Sequence, residues 1–130
     1  MFMTLRDAFA FFDGAKGRNP RWSWSARSTN GRTVVLTLWK HDIDDDGATI
    51  RVHWRGRPGR KRLGYKELIE NLIWARDHCG GLFHIVMIVA KDPNAQPRSI
   101  AKCWPDPGLV MKLSDLDETT GEFRAESVSR

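Results

Sequence analysis

The chain has 130 residues, close to the commonest size of one compact domain, so we expect a single domain over residues 1–130 with no need for a stabilising metal or disulfide. Its 21 Lys and Arg against 16 Asp and Glu give a net charge of +5, which favours a polyanionic partner. The two cysteines lack zinc or disulfide spacing, and the chain has neither a secretory signal nor an apolar run of bilayer length, so we expect a reduced cytoplasmic protein without membrane contact.

The first part of the chain predicts a short helix and a β-hairpin. Apolar side chains at helical spacing predict a helix that ends near Asp13. Tryptophan and alanine then alternate with serine over 22–26, which predicts a strand with the serines on one face. Asn30 and Gly31 separate it from a β-rich segment, 33–39, and this dipeptide is the strongest short-range signal for a hairpin turn.

Two further strands and the main helix follow from the same periodicities. Both faces of 33–39 are partly apolar, which favours a barrel or a sandwich. After an acidic turn, 48–55 alternates apolar with basic residues. The remaining predicted elements are a main helix from Tyr65 to Gly80-Gly81, a buried strand (83–89), a loop (92–97), a strand (98–104), a turn (105–108), a strand or short helix (109–116), a turn (119–121) and a last strand (122–128).

These elements predict an α+β fold. The sheet is expected to be mixed and strongly curved, or closed into a small β-barrel, with a short N-terminal helix and one main helix beside it. No cofactor and no metal are expected.

A basic segment in mid-sequence is the feature that most directly suggests a partner. Between Arg51 and Lys66 no acidic residue occurs, and several glycines allow the backbone to follow a polyanion. We therefore predict phosphate contacts here and at one later arginine. The alternative is an ordinary solvated strand face, partly neutralised by the acidic turn at 42–46. The predicted nucleic-acid-binding residues are Arg51, His53, Arg55, Arg57, Arg60, Lys61, Arg62, Lys66 and Arg98.

The chain also has six tryptophans, three of which lie in or beside the predicted hairpin. An indole can hold a single-stranded or everted base by stacking, although tryptophans more often fill a core. Trp24 and Trp39 have polar neighbours and are the best pocket candidates. The predicted base-pocket residues are Trp22, Ser23, Trp24, Ser25, Trp39 and Asp42.

Two alternative functions remain open from the sequence. A small metal-dependent nuclease would need the carboxylates of 41–46 to converge on a divalent ion, with His41 or His53 nearby. A protein-binding inhibitor or accessory factor would use the basic segment to engage an acidic protein, such as a nuclease subunit, in place of nucleic acid. The sequence leaves the oligomeric state open.

Four segments carry a resemblance to known proteins. The residues at 19–26, 35–39, 97–100 and 120–125 resemble a group of small uncharacterised bacterial proteins, and the strand-rich pattern with one main helix and a basic rim is similar to PUA-like modules, including EVE and YTH domains.

The resemblance to PUA-like modules implies a compact β-barrel whose aromatic pocket accepts an everted, modified base. Trp24 and Trp39 would line that pocket, and the basic segment would lie along the strand. The prediction is thus a non-catalytic nucleic-acid-binding module, with DNA as the preferred partner and RNA as the alternative.

Overall fold

The computed structural model describes residues 3–19, 23–55, 63–95 and 99–129, which form one seven-stranded mixed sheet and two helices. In chain order the elements are α1 (Leu5–Ala10), β1 (Ser25–Arg27), β2 (Val34–Trp39), a 3-10 turn (Lys40–Asp42), β3 (Asp44–Asp45), β4 (Ile50–Trp54), α2 (Leu63–His78), β5 (Leu82–Ala90), β6 (Ile100–Leu116) and β7 (Phe123–Ser129). The strand order is β1-β2-β5-β6-β7-β4-β3. Among the described strands only β2 and β5 pair in parallel, since α2 lies in the connection between them.

The first helix and the hairpin are confirmed. The Thr4 hydroxyl accepts the N–H of Asp7 at 3.1 Å and caps α1, which ends at Ala10 and continues as a turn. Gly31 has a φ of 73° in the hairpin turn, where its Cα lies so close to the Trp74 indole that a Cβ would meet the ring at 2.9 Å. β1 is shorter than the predicted strand because regular pairing with β2 begins only at Ser25.

Both faces of the sheet are covered near β2, but they are covered by helices and not by the predicted barrel or sandwich. Val34, Leu36 and Leu38 belong to a core cluster that packs against α2. Val35, between them, belongs to a second cluster on the opposite face, under α1. The apolar residues on both faces of β2 thus reflect one helix on each side of an open sheet, which is not closed into a barrel.

The sheet is strongly curled. β2 and β3 are five strand spacings apart in the sheet order, which would separate them by about 24 Å in a flat sheet. The backbone from Trp39 to Asp44 can span at most about 17 Å. Ile43, within this connection, packs against the α2-side cluster. The sheet therefore bends around that cluster, which makes the α2 side concave and the α1 side convex.

The C-terminal half differs from prediction at one place. β6 is a single strand, whereas a turn was predicted over 105–108. Pro105 pairs with Val86 and Val110 with His84, so the residues between form a bulge opposite one residue of β5. A bulge tolerates prolines that cannot donate to the ladder, which is why the prediction of a turn was wrong.

The main helix, the buried strand after it and the last strand are confirmed. α2 ends where Gly80 and Gly81 adopt φ values of 64° and 79°, and the Gly81 N–H donates to the Ala75 carbonyl at 2.8 Å. Neither described helix combines the length and the apolar character that a membrane span requires.

Candidate nucleic-acid interface

The basic strand β4 shows the predicted alternation. Ile50 and Val52 are buried in the concave cluster, and the residues between them point to the convex side. No helix covers this half of the convex side among the described residues, and β7 continues it with further charged residues. We call this surface the charged face; it consists of Arg51, His53, Arg55, Glu122, Arg124 and Glu126.

Two of the predicted phosphate ligands contact carboxylates of the protein itself. Arg51 Nη1 lies 3.0 Å from Asp46 Oδ2, and its Nε lies 3.7 Å from Glu126 Oε2. His53 Nε2 lies 2.7 Å from Glu122 Oε2. The antiparallel register with β7 sets Arg51 directly opposite Glu126, so opposite charges meet across the strands. Arg51 and His53 therefore have carboxylate partners within the protein, and phosphate binding by them stays a prediction.

Arg55 and Lys66, the other predicted cations that the structure describes, do not share one surface with Trp24 and Trp39. Arg55 is exposed and contacts no carboxylate among the described residues, but it follows the C-terminal end of β4. β4 runs antiparallel to β2, so Arg55 and Trp39 lie at opposite ends of the sheet. Lys66 is exposed on α2, on the concave side. Arg57, Arg60, Lys61, Arg62 and Arg98 lie outside the described residues.

The carboxylates of Asp45 and Asp46, in the acidic turn, accept hydrogen bonds within the β3–β4 hairpin. The backbone N–H groups of Thr49 and Ala48 donate to Asp46 at 2.6 and 2.9 Å, and together with the Arg51 guanidinium they hold the pKa of Asp46 at about 2. The Asp45 carboxylate accepts the N–H of Gly47 in the same way.

A nuclease centre would require several of these groups at one point. His41 Nε2 lies 3.4 Å from Asp42 Oδ1, which is a single pair. Within 3–19, 23–55, 63–95 and 99–129, no group of three His, Cys, Asp or Glu side chains is placed to hold a metal ion.

The two tryptophans predicted to form a pocket do come together. The ring centroids of Trp24 and Trp39 are 6.3 Å apart with the planes tilted by 45°, and Trp24 is 38% exposed. The His41 ring lies 6.0 Å from Trp39. His41 was not predicted to belong to the pocket, although its position two residues after Trp39 was a usable signal. We call Trp24 and Trp39 the tryptophan pair.

The two serines predicted to line the pocket lie on the opposite face of the sheet. Ser23 is buried and donates to Glu67 Oε1 at 2.6 Å, while Ser25 is buried and accepts from Asn71 Nδ2 at 2.8 Å. Alternation along β1 forces this separation, so serines and indoles could not have shared one pocket. Asp42 stays near the pair through its contact with His41. Trp22 is outside the described residues.

The partners of these serines form a buried polar layer under α2 that the sequence did not reveal. Glu67 is 3% exposed and accepts both from Ser23 and from the Arg18 backbone N–H, the latter at 2.6 Å. A carboxylate removed from water in this way needs such donors to be stable. The contacts attach α2 to β1 and to the segment before it.

A second aromatic site lies near the tryptophan pair and was not predicted. Trp104 is partly buried on β6, directly opposite Met87, and packs against the concave cluster. The ammonium groups of Lys40 and Lys102 lie 5.8 and 5.6 Å from the centroid of its ring. Lys40 belongs to the 3-10 turn and Lys102 to β6, so only the fold brings them together. We call them the lysine pair.

Comparisons with known proteins identify no relative of this chain. The chain matches no protein-family model, and no curated protein and no solved structure matches it significantly.

Proposed function

We propose that this chain is a non-catalytic nucleic-acid-binding module, with DNA as the preferred partner, that holds one base at the tryptophan pair. The observation that carries the proposal is the exposed indole of Trp24 beside Trp39 and His41. An aromatic group that packing does not bury offers a stacking surface to a base, whatever the base identity. The net charge of +5 supports a polyanionic partner.

The tilt of the two indoles bears on what the pair can hold. Planes inclined by 45° at 6.3 Å form an open wedge, and a base would lie on the exposed Trp24 ring with its edge toward Trp39. Asp42 and His41 are the polar groups that would contact that edge. Recognition of a modified base, as in the PUA-like modules that the sequence resembles, stays a proposal. The curled sheet with one main helix supports that resemblance, and the open sheet departs from it.

A cytoplasmic location belongs to the same proposal. Cys79 and Cys103 are both free thiols, and they pack against opposite faces of the sheet, so the fold keeps them apart. Burial raises the pKa of each thiol, which lowers its reactivity toward disulfide exchange. Both features suit a reducing compartment.

The experiment that tests the proposal is a salt-controlled binding panel. Wild-type protein is titrated against plain, methylated and hydroxymethylated duplexes, single-stranded DNA and RNA. Trp24→Ala should weaken the best complex by about 1–3 kcal/mol, the value of one base stacked on an aromatic side chain. Because Trp24 is 38% exposed and the rest of its side chain is packed, the free energy of unfolding of the variant is measured as well, and affinities are compared at equal folded fraction.

Phe11→Ala provides the matched control, because Phe11, the residue that follows α1, is an aromatic side chain that is 57% exposed and lies outside the tryptophan pair. Its removal should leave the affinity within about 0.5 kcal/mol of wild type. The proposal fails if wild type binds nothing in the panel. It also fails if both variants lose the same affinity.

The charged face favours a second candidate, a protein-binding accessory factor. A shallow groove of about 450 Å³ runs along this face, and side chains of both signs line it, among them Arg51, Arg124, Asp44 and Glu126. Complementary charges on a protein partner fit such a surface better than a uniform polyanion does. If a protein partner is found, competition with DNA for the same protein distinguishes the two functions.

A further inference from the structure

The lysine pair differs electrostatically from every cation of the charged face that contacts a carboxylate. Both ammonium groups lie within 6 Å of one ring centroid, so the two charges are no further apart than the sum of those distances. Across the part of the chain that the structure describes, neither Lys40 nor Lys102 forms an ion pair. Two like charges held near each other without a carboxylate partner favour an external anion.

The lysine pair lies at the same end of the sheet as the tryptophan pair. Trp39 pairs with Ile88, which pairs with Cys103, so Trp39 and the start of β6 lie in one row at the same end of the sheet. Trp104 is the next residue along β6 and points to the concave side, whereas Trp39 points to the convex side. Two strand spacings, roughly 10 Å, separate them. Lys40 directly follows Trp39 in sequence.

We propose that Lys40 and Lys102 bind a backbone phosphate of a single-stranded nucleic acid segment whose neighbouring base is held at the tryptophan pair. The inference rests on the proposed function and narrows its ligand from nucleic acid to a single strand. Trp104 contributes its ring to the adjacent sugar or base. The strand passes over the end of the sheet, from the convex to the concave side.

Single-stranded character follows from the two aromatic sites. Bases within a duplex are stacked on each other, and only single-stranded or everted bases present a free face to an indole. Aromatic groups lie on both faces at this end of the sheet, and the two ammonium groups lie beside the ring on the concave face, so a strand that crosses the sheet end meets first the tryptophan pair and then the lysine pair with Trp104. Arg55 lies at the other end of the sheet and cannot contact the same phosphate.

The experiment measures how affinity for a short DNA strand depends on salt. For single strands, each phosphate contact contributes about 0.7 to the slope of log affinity against log salt concentration. Because both lysines bind one phosphate, the double variant Lys40→Gln/Lys102→Gln should make the slope less steep by about 0.7. The control Arg32→Gln/Lys112→Gln removes the same charge from exposed sites elsewhere and should leave the slope within about 0.3 of wild type.

A second readout locates the contact independently of affinity. The indole N–H resonance of Trp104, assigned by its disappearance in Trp104→Phe, should shift on titration with the DNA strand in wild type. In the double lysine variant the shift should be smaller at equal saturation.

Each outcome has one meaning. If wild type binds no nucleic acid, the proposed function and this inference both fail. If wild type binds a single strand while the double variant keeps the wild-type slope and the Trp104 shift, only the inference fails. Tighter binding of a duplex than of a single strand, with an unchanged slope in the double variant, overturns the single-strand assignment and leaves nucleic-acid binding standing.

Discussion

The charged face and the lysine pair both contain cations, but they differ in what those cations contact. The charged face has more basic residues, and two of them, Arg51 and His53, lie against the carboxylates of Glu126 and Glu122. The lysine pair has two cations, Lys40 and Lys102, beside an indole and without an ion pair in the described chain. The number of cations in a segment therefore does not predict how many can bind an external anion, because strand register decides which are already neutralised.

Ser23 and Trp24 are neighbours in sequence, and they too differ in whether their side chains already have partners within the protein. Substitution of Ser23 should have the largest effect on stability that we expect. Ser23 donates to a buried carboxylate, whereas Trp24 is exposed. Ser23→Ala should lower the free energy of unfolding by about 1.5–3 kcal/mol, because the Glu67 carboxylate loses one of its donors while staying buried. Urea unfolding measures this change, and affinity for nucleic acid should be unaffected once the folded fraction is accounted for.

Ser114→Ala is the control for that change. Ser114 is exposed and donates to the backbone carbonyl of Arg124, so its removal should cost less than about 0.5 kcal/mol. A loss of affinity in Ser23→Ala without a loss of stability would mean that Ser23 contacts the base and is not a structural residue as the comparison with Trp24 requires.

A gain of binding is the second expectation. Asp46→Asn/Glu126→Gln removes both carboxylates that contact Arg51, and an asparagine oxygen can still accept the N–H groups of the turn. If the carboxylates are what prevents Arg51 from binding phosphate, the salt slope for a DNA strand should become steeper by about 0.7. The measurement is the same titration series that tests the lysine pair.

The matched control for the gain is Asp13→Asn/Asp117→Asn, which changes the net charge equally at exposed sites that form no ion pair within the described chain. It should raise affinity slightly through the overall field and leave the slope within about 0.3 of wild type. Equal steepening in both double variants would mean that release of Arg51 is not the cause.

The smallest expected effect is a pH dependence at the turn beside Arg51. Hydrogen bonds from Thr49 and Ala48 and the Arg51 guanidinium lower the pKa of Asp46 from 3.8 to about 2 in the folded protein. The unfolded chain therefore binds a proton on Asp46 more readily than the folded chain does. The stabilisation is present above pH 3.8 and is lost as pH falls through about 2.

Urea unfolding between pH 5 and pH 2 detects this contribution as the difference between wild type and Asp46→Asn. That difference should shrink over this interval. Asp44→Asn removes a neighbouring charge and leaves the hydrogen bonds that Asp46 accepts from Ala48 and Thr49 in place, so it serves as the control. An identical pH dependence in the two variants would show that the Asp46 hydrogen bonds are not its origin.

Local signals in the sequence were sufficient for most elements of the fold. The hairpin at Asn30-Gly31, the alternation of β4 and the end of α2 at Gly80-Gly81 each depend on a few adjacent residues, and each is confirmed. The continuity of β6 could not be predicted because its prolines are tolerated only in a bulge, and a bulge is defined by the partner strand.

The candidate site was less predictable than the fold because its contacts are distant in sequence. The meeting of Trp24 and Trp39 follows from the hairpin and was predictable. The pairing of Arg51 with Glu126 depends on the register of two strands that are far apart in the chain. The approach of Lys102 to Trp104 and Lys40 depends on strand order, which no local pattern encodes.

The connection between Trp39 and Asp44 is short and includes a 3-10 turn, so it holds β2 and the edge strand β3 close together and keeps the sheet curled. Lys40 and His41 lie in this connection. A ligand that displaced it would therefore pull on the edge strand β3, which two residue pairs attach to β4. Residues inserted into this connection would allow the sheet to curl less.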